Sequence, residues 1–76
     1  MTKQDLEFIK KSNKFIVIKN NNRTDFNDFS DAVKFYNDNV KEAHEIELNA
    51  ICGIVGKTIA YKYNQGGTAK YGNDWN

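Results

Sequence analysis

The run His44-Glu45-Ile46-Glu47-Leu48 sets the chain's only histidine beside two carboxylates, and its only thiol, Cys52, follows shortly after. A zinc-binding helix of the H-E-x-x-H kind needs a second histidine one turn further on, and Leu48 stands there instead. Glu45 and Glu47 alternate with Ile46 and Leu48, so on a strand they share one face and could approach a cation. Two carboxylates without further ligands make a poor metal site, and a solvated strand face accounts for them better. Cys52 sits among Ile51, Ile54 and Val55, with neither a base nor a positive charge to make a thiolate. It reads as a small core residue.

A second stretch, Gly53-Ile54-Val55-Gly56-Lys57-Thr58, ends like a phosphate-binding loop. The loop requires four residues between its glycines and must open a helix; here two intervene, and the residues that follow alternate with strand period. A hairpin connection that happens to contain Gly-Lys-Thr is the expectation. No catalytic residue, metal site or cofactor is assigned, and the chain is read as non-enzymatic.

Charge is zoned although the total is only +1. Residues 1–22 carry five lysines against Asp5 and Glu7, for +3; residues 23–49 carry three cations against seven acids, for −4; residues 50–76 carry three lysines against Asp74, for +2. Two binding surfaces follow from this. Asp31, Asp38 and Glu42 form an acidic stripe suited to a basic protein surface, and Tyr71 and Trp75 beyond the Gly66-Gly67 break are aromatic anchors of the type enriched at binding hot spots. Alternatively, Lys57, Lys62 and Lys70 interleaved with Tyr61, Tyr63 and the tail aromatics could meet phosphates and stack bases. The near-neutral total and a single arginine weaken the nucleic-acid alternative.

The elements that must position these residues are legible. Residues 4–12 place Leu6, Phe8 and Ile9 near one face with acids early and lysines late, as suits the helix macrodipole, and Thr2 can cap them. Residues 14–19, KFIVIK, are apolar on both faces and β-branched, as in a central strand. Asn20-Asn21-Asn22 makes a turn, and residues 23–27 return as an edge strand. Phe29, Ala32, Val33, Tyr36 and Val40 recur at helical spacing over 28–40, with Asp28 or Ser30 as cap. Two alternating strands follow, one with Ile46, Leu48 and Ala50 inward, the other with Ile59, Tyr61 and Tyr63 inward or partly inward. The expected fold is α+β: one small domain over residues 1–64, an antiparallel sheet of three to four strands, one main helix packed on it and a short N-terminal helix. Residues 65–76 form a Gly-rich aromatic tail that either folds back as a clasp or projects as a hook.

With 76 residues there is room for one core, 39% hydrophobic and 28% charged residues fit a soluble globular chain, and no apolar run is long enough to span a bilayer. The N-terminus is charged and lacks a signal-like apolar run, and one cysteine allows no internal disulfide, so a cytoplasmic location is expected. The chain holds 11 asparagines, 10 lysines and no proline, a bias that points to a low-GC genome. Self-association with a second copy is a further candidate on size grounds.

Residues 14–63 resemble small proteins encoded by phages and mobile elements of low-GC Gram-positive bacteria. The shared pattern is a hairpin, a helix opened by F-x-[DS]-x-x-x-A-x-x-F/Y (here Phe26, Asp28, Ala32 and Phe35), then a second hairpin. The resemblance implies a non-enzymatic accessory protein that binds and blocks a host protein such as a defence nuclease or regulator, and it carries no active-site residue.

Overall fold

Asn20 and Asn21 adopt φ of 48° and 69°, the left-handed geometry that asparagine tolerates better than most side chains. Two such residues in succession make the tight turn whose twist matches paired strands. They join β1 (Lys14–Lys19) to β2 (Asn22–Phe26) as a hairpin. The structure, a computed structural model, describes residues 3–65 and 68–73, with side chains over 3–64 and the surroundings of Gly72. Thr2, the Gly66-Gly67 break and Trp75 therefore lie outside the described residues.

The remaining elements are α1 (Lys3–Lys11), α2 (Phe29–Asn39), β3 (Glu45–Cys52), β4 (Val55–Gln65) and β5 (Thr68–Asn73). The fold is α+β, with the five strands in one sheet, order β2-β1-β3-β4-β5, and every pairing antiparallel. The fifth strand comes from the stretch that sequence alone leaves as tail: Thr68–Asn73 pairs with β4 from Gln65↔Thr68 to Ala60↔Asn73. Backbone pairing replaces the missing side-chain periodicity, because a ladder bonds main chain to main chain whatever the side chains.

Asp28 caps α2 by accepting from Ser30 N at 3.2 Å, which satisfies one of the donors a helix start leaves open. The helix then buries Ala32 and Tyr36, flanked by half-buried Phe29, Val33 and Phe35, on β1, β2 and β3. The shorter α1 lays Ile9 on β3. Both helices feed one core with Phe15, Val17, Ile46, Leu48 and Ala50. Each of the larger side chains there contributes about 1.5–3 kcal/mol by leaving water.

One irregularity decides the rest of the sheet. Between Leu48↔Ala60 and Asn49↔Thr58 the register slips, leaving Ile59 as an extra residue in β4. A bulge of this kind puts two consecutive side chains on one side, and Ile59 and Ala60 are both buried in the core. Every residue after the bulge changes face. The expectation of Ile59, Tyr61 and Tyr63 inward or partly inward is thus corrected: Ile59 is inward, but Tyr61 and Tyr63 stand on the face without helices, while Lys62 is on the helix face opposite Ile46. Cys52 is likewise not a core residue; it is half-buried beside a hairpin apex where Gly53 has φ 63° and Ile54 is fully exposed.

Lysines sew the end of α2 to the sheet. Lys19 Nζ donates to Asn39 Oδ1 at 2.8 Å and to Glu42 Oε1 at 2.7 Å. Lys62 Nζ donates to the carbonyls of Val40 and Lys41 at 2.8 and 3.3 Å. Cations there complement the negative end of the helix dipole and satisfy carbonyls the helix leaves open. At the other end Lys57 pairs with Asp5, fixing α1 to β4.

Candidate functional site

The helices cover one face of the sheet and leave the other bare. On the bare face the register aligns residues into rows across the strands. One row runs Arg23, Ile18, Glu47, Tyr61, Gly72; the next carries Glu45 opposite Tyr63, with Lys70 at the register position beyond. Directly opposed side chains have Cβ atoms about 4.5–5.5 Å apart, so each glutamate stands beside a tyrosine ring. Tyr61 and Tyr63 stack with centroids 4.9 Å apart and planes 18° from parallel. Tyr63 is 42% exposed.

Two devices hold this arrangement. Asn20 accepts with Oδ1 from the backbone N–H of His44 at 3.0 Å and of Glu45 at 3.1 Å, and its own N–H donates to the Glu45 carbonyl at 2.8 Å. The hairpin turn therefore fixes the start of β3. On the far side, Gly72 lies under the Tyr61 ring: a Cβ there would stand 2.2 Å from the ring carbon Cε1. Only glycine lets the ring lie flat across β5 and stack on Tyr63.

A cleft of about 240 Å³ opens between these parts, lined by Ile18, Asn20, Asn21, Glu45, Glu47 and Tyr63. A second hollow adjoins it, lined by Asn20, Asn21, His44, Glu45 and Asn64. Elsewhere on the bare face, among the described side chains, the charges are mutually engaged. Arg23 donates to both oxygens of Asp25, at 2.7 and 3.1 Å, and Lys14 lies 3.4 Å from the same carboxylate. The Arg23 contact lowers the pKa of Asp25, and Asp25 in turn raises that of Arg23. Among the described residues no three His, Cys, Asp or Glu side chains gather as a metal site.

The residues singled out from sequence are not brought together as one surface. Lys62 is buried on the helix face and bound to carbonyls, and Lys57 is half-buried there against Asp5. Tyr61 and Tyr63 are on the opposite face. Asp31 and Asp38 are exposed on α2 and flank one shallow hollow, but Lys34 lies between them and pairs with Asp38 at 3.0 Å. Glu42, in the turn after α2, is paired with Lys19, whose ammonium holds its carboxyl below the ordinary value. Tyr71 sits in β5 at the register position opposite Lys62, and Trp75 is outside the described residues. Sequence reasoning did not single out Asn20 or Gly72; the positive-φ turn signal was visible, but the partners of both are remote in the chain.

No helix among the described residues is long and apolar enough to cross a membrane. No protein-family model, no curated protein and no solved structure matches this chain, so the uncovered sheet face itself carries the functional argument.

Proposed function

We propose that the protein is a non-catalytic protein-binding module that docks its partner on the uncovered sheet face around Tyr61, Tyr63, Glu45 and Glu47. The observation that carries this is the pairing of each tyrosine with a glutamate across β3 and β4. Exposed aromatic surface beside carboxyl side chains on a sheet suits a protein partner, since aromatics supply contact area at low entropic cost. In the setting the sequence resemblance implies, the partner is a host protein that a phage or mobile-element accessory protein occupies and blocks. The acidic stripe of Asp31, Asp38 and Glu42 is a weaker candidate, because Lys34 and Lys19 already neutralise part of it.

A nucleic-acid reading draws on the stacked tyrosines, which alone would suit bases. Against it, the two glutamates beside the rings repel phosphates, while Lys57 and Lys62 are committed on the other face.

The test is capture from a nuclease-treated lysate of a low-GC Gram-positive bacterium with three folded baits: the intact chain, Glu47→Lys/Tyr63→Ser, and Asp31→Lys/Asp38→Lys. Loss of one retained protein with the sheet-face bait alone supports the reading. Loss with the helix bait alone moves the site to α2, and retention only when nucleic acid is restored favours the alternative.

A further inference from the structure

Resting on that reading, we infer that the cleft of Glu45, Glu47 and Tyr63 receives an arginine side chain from an extended basic segment of the partner. Charge complementarity carries the choice of occupant. Glu45 and Glu47 project on one face two residues apart, about 7 Å along the strand. Among the described side chains, which do not include that of Lys70, no cation pairs with either; the arginine sharing the row, Arg23, is held by both oxygens of Asp25. Two like charges left side by side above the apolar floor of Ile18 favour a positive group between them.

The shape favours arginine over a metal ion or a bare ammonium. A guanidinium is planar, takes carboxylates with fixed N–H directions and stacks on an aromatic face. Tyr63 brings a half-exposed ring to the cleft wall, with Tyr61 stacked against it. The cleft's volume of about 240 Å³ is that of roughly eight waters, enough for a guanidinium without displacing the strands. The adjoining hollow between Asn21, His44 and Asn64 continues the groove past Glu45, so the segment carrying the arginine has a path across the turn end of the sheet. Asn20, bonded to the backbone of His44 and Glu45, is the positioning residue.

The probe is a capped six-residue peptide alternating serine and arginine, titrated into the intact ¹⁵N-labelled chain, with its citrulline counterpart as neutral isostere. The expected result is amide shifts at Glu45, Glu47, Tyr61 and Tyr63, tighter binding of the arginine peptide by about tenfold, and loss of about threefold on Tyr63→Ala and more on Glu45→Gln/Glu47→Gln. The variants' own spectra report their folding. Equal binding of the citrulline peptide at the same residues overturns the arginine assignment while leaving the sheet face as the docking surface. Shifts centred on Asp31 and Asp38, or no binding, overturn it too, and the lysate capture then decides the broader reading separately. Binding that emerges only in Lys70→Gln means that the chain's own lysine fills the cleft, which also overturns a partner arginine.

Discussion

Lys62 Nζ reaches the carbonyl of Val40 at 2.8 Å across 22 residues of sequence, so a β4 side chain caps the C-terminal end of α2. The residue is only 6% exposed. Replacing it with methionine keeps the packed stem and removes the donor, leaving the Val40 and Lys41 carbonyls to find water. The expected cost is about 1–3 kcal/mol, with faster amide exchange in the last turn of α2, measured by denaturant unfolding and hydrogen exchange. An unchanged exchange pattern would deny Lys62 its capping role.

Gly72 and Tyr61 form a second dependent pair. Gly72→Ala drives a methyl into the ring and should destabilise the protein by about 1–3 kcal/mol. In a Tyr61→Ala background the same change should cost far less, because the ring is gone. A double-mutant cycle reads the coupling directly, and additive effects would show that the ring does not rest on Gly72.

Asp5 is nearly fully buried, whereas its partner Lys57 keeps 39% of its side chain exposed. Removing the lysine, as Lys57→Met, takes one charged partner from a buried carboxylate and should cost about 1–3 kcal/mol. Asp5→Asn leaves an ammonium that water can reach and should cost about 1 kcal/mol. Comparing the two unfolding midpoints tests that asymmetry.

Lys19 holds Glu42 below its ordinary pKa of 4.5. The carboxyl is then more acidic folded than unfolded, so the ion pair adds stability above pH 4.5 and loses it as pH falls through the lower folded value. A carboxyl titration followed by NMR should show Glu42 with a midpoint below 4.5, and Lys19→Met should return it to the ordinary value. Acid unfolding of that variant should be correspondingly less steep in this window.

Asn20→Gly preserves the positive φ but removes the acceptor for His44 and Glu45 N–H. The loss should be about 0.5–1.5 kcal/mol, and amide exchange at Glu45 should accelerate while the β1–β2 turn stays intact. The relevant measurement is exchange at those two amides against Lys19 and Asn22.

The sequence by itself determined the elements and their core faces where periodicity is unbroken: KFIVIK as a central strand, the asparagine turn, Phe29 to Tyr36 as a helix, and Ile46, Leu48 and Ala50 inward on β3. These are local signals, set by propensity and by spacing within one element. Tertiary structure alone decided where the tyrosines of β4 point. A single extra residue at Ile59 inverts the alternation, and its position depends on how β4 registers against β3, which no residue of β4 announces. The same is true of the tail residues that become β5, since a backbone ladder leaves no side-chain signature, and of Lys62, whose partners are carbonyls 21 and 22 residues away. The candidate site follows suit: Glu45 and Glu47 were visible as one wet face, but the rings that make that face a surface for binding joined it only through the bulge.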